Sequence, residues 1–212
     1  MKRWIGPAVL TLCAATAADA ATRRELTESF ALDDAAVVIF DMAVGEAEIE
    51  VWDSDRVEVS LDVRCRSRSS TCERRMELVE VVDERRGERL EVKVEGISKT
   101  MSGRLEVDAR VRLPRRVELV VDMGIGELDV SGVERDVFVD MGIGEVRLWV
   151  AERAVRSVFL DAGIGESALY GAEAETASRP FLVGSELGWE EGAGSAEIVV
   201  DLGIGEVSVH LE

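Results

Sequence analysis

Five times along the chain an aspartate is followed by a glycine turn that closes on a glutamate. The copies read "FDMAVGEAEI" from Phe40, "VDMGIGELDV" from Val121, "VDMGIGEVRL" from Val139, "LDAGIGESAL" from Leu160 and "VDLGIGEVSV" from Val200. A phosphate-binding loop occurs once per site, so five copies describe architecture before chemistry. Counted from Asp41, Asp122, Asp140, Asp161 and Asp201, the intervals are 81, 18, 21 and 40 residues, close to multiples of about twenty.

The flanks of each turn alternate apolar and polar residues, the two-residue period of a strand with one buried face. In "VFVDMGIGEVRLWV" the residues Val137, Val139, Met141 and Ile143 alternate with Phe138, Asp140 and Gly142. Val146, Leu148 and Val150 resume the alternation beyond Gly144 and Glu145. The pattern predicts two strands joined at a bend, and glycine suits the bend because it reaches backbone angles closed to other residues. The structural turns are assigned to Gly124 and Gly126, Gly142 and Gly144, Gly163 and Gly165, and Gly203 and Gly205. Their isoleucines are expected to point inward and their glutamates outward. A unit of this size cannot bury its apolar face alone and must stack on its neighbours. The fold expected is therefore all-β: a single-domain β-solenoid, β-helix-like, spanning residues 21–212.

The regular rungs of about 20 residues fall in 117–212. Residues 21–116 are expected to be less regular, because "VEVSLDV", "LVEVV", "LEVKV" and "LEVDARVRL" lack the turn and Glu84 to Gly87 reads as a hairpin. Pro114 would admit the chain to the regular part, and "GAEAETASRP", 171–180, reads as an exposed insertion. No helix of ordinary length is expected after the leader.

That leader is residues 1–20: Lys2 and Arg3 precede an apolar run that closes on Ala18-Asp19-Ala20, the pattern of a cleaved secretory signal peptide. Lipidation at Cys13 is disfavoured by the bulky Leu12 before it. No other stretch approaches the roughly 20 apolar residues of a membrane span. The expected location is periplasmic or extracellular, where Cys65 and Cys72 should form a disulfide closing "CRSRSSTC". The net charge is −18, and loss of the leader makes it more negative. Most of it lies in Val117–Glu212, with 5 arginines against 20 acidic residues, whereas Asp62–Arg116 has a small basic excess. Such a surface disfavours nucleic acid and anionic lipid as partners.

Chemical motifs are few. A dinucleotide fingerprint needs a third glycine and a following helix, and after Gly144 comes "EVRLWV", a strand. Every carboxylate near a turn is a repeated one, whereas catalysis normally uses one singular, desolvated constellation. His210 stands alone near the end of the sequence, on an outward strand position. No enzyme activity and no cofactor are therefore expected. Stacking the copies would align Asp122, Asp140 and Asp161 on adjacent rungs, with Glu127, Glu145 and Glu166 as a second column. These residues, together with Asp201 and Glu206, are candidate calcium ligands of the kind extracellular solenoids carry at such turns. Trp149 and Trp189 are candidate glycan contacts, as is Trp52, if their rings are exposed; the insertion 171–180 would otherwise cover Trp149.

The run "VRLPRRVELVVDMGIGELDVSGVERDVFVDMGIGEVRL" resembles the bacterial "putative-adhesin" domain family, and "VVIFDMAVGEAEIEVWDSDRVEV" resembles its opening strand, glycine turn and Trp-Asp tail. The resemblance spans nearly all of residues 21–212. It departs from the family at Ile125, Ile143, Ile164 and Ile204, where serine is usual, and at the four following glutamates, where aspartate is usual. It implies an exported β-solenoid with an interaction or scaffold role toward a protein or glycan of the cell envelope. The closing "VSVHLE" still alternates with no capping helix, so self-association through Val207, Val209 and Leu211 is expected at an open terminal rung.

Overall fold

The structure is a computed structural model and describes residues 22–67, 69–97, 105–171, 176–178 and 184–212. The leader read at 1–20 and most of the insertion read at 171–180 lie outside these residues. The strands are β1 (Arg23–Ala31), β2 (Val37–Trp52), β3 (Arg56–Cys65), β4 (Glu80–Arg86), β5 (Arg89–Glu95), β6 (Leu105–Pro114), β7 (Glu118–Ser131), β8 (Val137–Val150), β9 (Val155–Tyr170), β10 (Thr176–Ser178), β11 (Ser185–Trp189) and β12 (Ala196–Leu211). One short helix, α1 (Ser70–Met76), follows β3, and a single helical turn, Glu152–Ala154, precedes β9. The chain is all-β, and its strands join one mixed sheet in the order β1-β3-β6-β2-β7-β8-β12-β9-β10.

The five glycine turns lie in the middles of β2, β7, β8, β12 and β9, which pair in parallel with turn opposite turn. A straight strand as long as β7 would span about 46 Å. The connector 132–136 reaches at most about 18 Å, yet it returns the chain to Val137 beside Leu119. Each long strand must therefore turn back on itself, and the burial pattern shows where. In β8 the residues Val137, Val139 and Met141 are buried, then Val146, Leu148 and Val150, so the inward phase slips by one residue across Gly142–Glu145. The same slip separates Met123 from Leu128 in β7 and Leu202 from Val207 in β12.

Glycine is required at the bend for two reasons, both visible at Gly144. Its φ is +153°, and a Cβ there would lie 1.8 Å from the carbonyl oxygen of Gly126 on the neighbouring strand. The inside of the bend is filled by the preceding methionine, since the Met141 sulfur sits 3.1 Å from that same point. Ile143 is consequently displaced to the convex side, where it is 44% exposed. The expectation that the turn isoleucines point inward is thus corrected: Ile164 and Ile204 are exposed and Ile125 is half-buried. The phase slips at the first glycine of the turn, earlier than the alternation suggested.

Both ends of this ladder are finished by separate, shorter strands. On β2, β5 pairs with Val37–Met42 and β6 with Glu46–Trp52. On β9, β11 pairs with Val158–Ala162 and β10 with Ser167–Leu169. Beyond β2 the pairing becomes antiparallel, through β6–β3–β1 and the β4–β5 hairpin that turns at Gly87. The irregular half is therefore hairpin-containing, as its sequence predicted. Cys65 and Cys72 are disulfide-bonded across the loop into α1.

β12 is not a terminal edge. It lies between β8 and β9, paired in parallel with both, and Val207, Val209 and Leu211 are buried. The expected self-association through these residues is corrected accordingly, because no open rung exists where they sit.

Candidate binding surface

In-register pairing converts every outward position into a column crossing the strands. The aspartates run Asp41, Asp122, Asp140, Asp201, Asp161. Asp161 is thus separated from Asp140 by Asp201, a correction to the adjacency read from the sequence that follows from the placement of β12. Next come Val44, Ile125, Ile143, Ile204 and Ile164, then Glu46, Glu127, Glu145, Glu206 and Glu166. Neighbouring strands lie about 4.8 Å apart, so each column repeats at that spacing.

The two acidic columns meet different cations: Lys93 lies 3.8 Å from Asp41, and Arg147 serves the glutamates. Arg147 donates to Asp129 Oδ1 at 2.6 Å, to Glu145 Oε1 at 2.8 Å and to Glu127 Oε2 at 3.4 Å. The hydrogen bond to Asp129, helped by the charges of Asp129, Glu145 and Glu127 and opposed by partial burial, holds its guanidinium above the ordinary arginine value. Asp122, Asp140, Asp201, Asp161, Glu206 and Glu166 make no ion pair with the described residues. Sequence reasoning missed the Arg147 cluster, although an arginine two places beyond a turn glutamate occurs only in that copy.

The calcium candidates Asp122, Glu127, Asp140, Glu145, Asp161, Glu166, Asp201 and Glu206 stand one per strand in two separate lines. Among the described residues no three carboxylates, histidines or cysteines converge on a point that a metal could occupy.

The aromatic candidates are also separated. Trp149 stacks on His210 with ring centroids 5.5 Å apart, and His210 stacks in turn on Tyr170 at 4.8 Å. His210, read as solitary, is the middle ring of a three-ring column. A sugar binds the face of a ring, and both faces of His210 and one of Trp149 are already taken. Trp189 packs against the core and lines a separate surface groove with Glu152 and Arg153. Trp52 donates to the carbonyl of Arg56 at 2.8 Å and has the Arg112 guanidinium over its ring at 4.4 Å.

A groove of about 580 Å³ opens at the β2 end of the isoleucine column, between Val44 and Ile125 on one side and Arg64, Ile97 and Leu105 on the other. No described helix is long and apolar enough to cross a membrane.

No protein-family model matches the chain, and no curated protein is similar to it. Solved structures do resemble it. A "putative cell adhesion protein" from Clostridium sporogenes aligns with a TM-score of 0.55 at 12% identity, covering 90% of this chain and 100% of that one. A "putative adhesin" from Parabacteroides merdae aligns at 0.33 with 12% identity, covering 89% and 82%. A "putative lipid binding protein" from Parabacteroides distasonis aligns at 0.34 with 14% identity, covering 87% and 61%. The first of these establishes a shared fold.

Proposed function

We propose that the protein is a non-enzymatic, exported binding module of the cell envelope with an adhesin-like interaction or scaffold role, its long strands wound as a β-solenoid. The observation that carries this reading is the outer surface of the parallel ladder. It displays columns of repeated, solvent-facing and largely uncompensated side chains on a backbone locked at every bend. Such a surface is built for contact, since repeated exposed groups lack the single desolvated constellation that catalysis uses. The fold shared with the "putative cell adhesion protein" and the secretory leader read at 1–20 support the same reading. A protein partner is preferred over a glycan because the stack already takes both faces of His210 and one face each of Trp149 and Tyr170.

The test is binding of fluorescently labelled protein to a washed envelope fraction. Saturable binding that excess unlabelled protein displaces is expected. Non-saturable association, or release of soluble sugar or peptide fragments from that fraction by the protein, overturns the proposal.

A further inference from the structure

We propose that the isoleucine column is a docking strip for a cationic amphipathic α-helix of a partner polypeptide, lying across the strands. The inference rests on the binding-module reading and names the partner's chemistry. Among the exposed large apolar side chains, Ile143 at 44%, Ile204 at 44% and Ile164 at 54% occupy consecutive strands of one column. Exposed apolar residues scattered singly need no explanation, but a contiguous strip with polar margins marks an interaction site.

Both margins of this strip are acidic. Asp140, Asp201 and Asp161 run along one side and Glu145, Glu206 and Glu166 along the other. Toward β9 neither margin has counter-charge among the described residues, because Arg147 reaches only Glu127, Glu145 and Asp129. A second copy of this strip would bring carboxylate columns against carboxylate columns, and an anionic lipid surface would be repelled in the same way. The complementary occupant is apolar along its centre and basic along both flanks.

Spacing selects its conformation. The column repeats at about 4.8 Å. A helix presents one face every turn, about 5.4 Å, a mismatch of roughly 0.6 Å per strand. An extended peptide presents same-side residues every 6.6 to 7 Å or so, which loses register within about two strands. A helix diameter of about 10 Å lets lysine or arginine stems on each flank reach the aspartate and glutamate columns while their methylenes cover the isoleucines.

Fluorescence anisotropy with a labelled peptide of about 18 residues, leucines on one helical face and lysines on the rest, tests the proposal. A peptide of the same composition with strictly alternating leucine and lysine is the control. Saturable one-to-one binding of the helical peptide is expected, weakened about tenfold or more in Ile164→Thr/Ile204→Thr at an unchanged melting temperature. Asp161→Asn/Asp201→Asn, which creates no cavity, should also weaken it, most at low ionic strength. Equal binding of the alternating peptide, absence of saturation, or wild-type affinity in either double variant overturns the strip. If Ile164→Thr/Ile204→Thr still binds the envelope fraction like wild type, the strip is wrong and the binding-module reading stands.

Discussion

The ladder β7–β8–β12–β9 and the strands β3 and β6 bury the same kind of valine- and leucine-rich face, but the ladder and the antiparallel half handle charge in opposite ways. In the ladder a repeated sequence pairs with itself in parallel and in register, so aspartate meets aspartate and glutamate meets glutamate. In the antiparallel half unlike sequences meet. Arg112 lies opposite Glu58 and is bonded to it, Arg64 is bonded to Asp108, and Arg23 reaches Asp62 at 2.9 Å. Self-pairing multiplies whatever each position contains: apolar residues gain matched neighbours, and charged ones gain repulsion. The acidic excess of Val117–Glu212 is therefore felt as stacked like charges, whereas Arg64, Arg66, Arg110 and Arg112 are spent in pairs.

The largest expected effect tests the bend. Gly144→Val places a branched side chain against the Gly126 carbonyl at a left-handed φ. It should cost about 3 kcal/mol or more, seen as a drop of about 10 °C in melting temperature. In the other region, Cys65→Ser/Cys72→Ser opens a short loop and should cost about 2.5 kcal/mol by loop entropy. Calorimetry of both variants checks the order, and a larger loss from the disulfide would reverse this ranking of the two devices. The smallest effect carries the comparison in its sign. Asp140→Asn removes a charge with like neighbours on both sides and should stabilise by about 1 kcal/mol at low salt. Asp108→Asn removes the partner of Arg64 and should destabilise by about 0.5 kcal/mol. Urea unfolding at low and high sodium chloride measures both, and equal signs would remove the contrast.

The bends, the hairpin and the disulfide were legible because each is local: a glycine pair between alternating runs, Gly87 after a charged run, two cysteines in a chain read as exported. The direction of Ile143 was not, because alternation fails inside a bend and the side chain's fate depends on Met141 filling the concave side. Helix α1 left little periodic signal in its seven residues. The site was legible in part. Column membership follows from the repeat, but column order does not, since nothing local tells β12 to enter between β8 and β9. For the same reason the stacking of His210 between Trp149 and Tyr170 could not be read from three residues far apart in sequence.

The position of β12 has a consequence for how the molecule is made. β8 and β9 are synthesised before the strand that separates them, and both carry the same turn, so each presents an edge that matches the other. Until residues 196–211 emerge, these two strands have a competing partnership that the finished sheet does not contain. Of the described strands, β12 then closes two long-range pairings at once, and its Val200, Leu202 and Val209 join the buried core. Folding gated in this way is slow and stays exposed to misassembly until its final step. A protein exported before that step would travel in a form that has not yet committed to its final pairing.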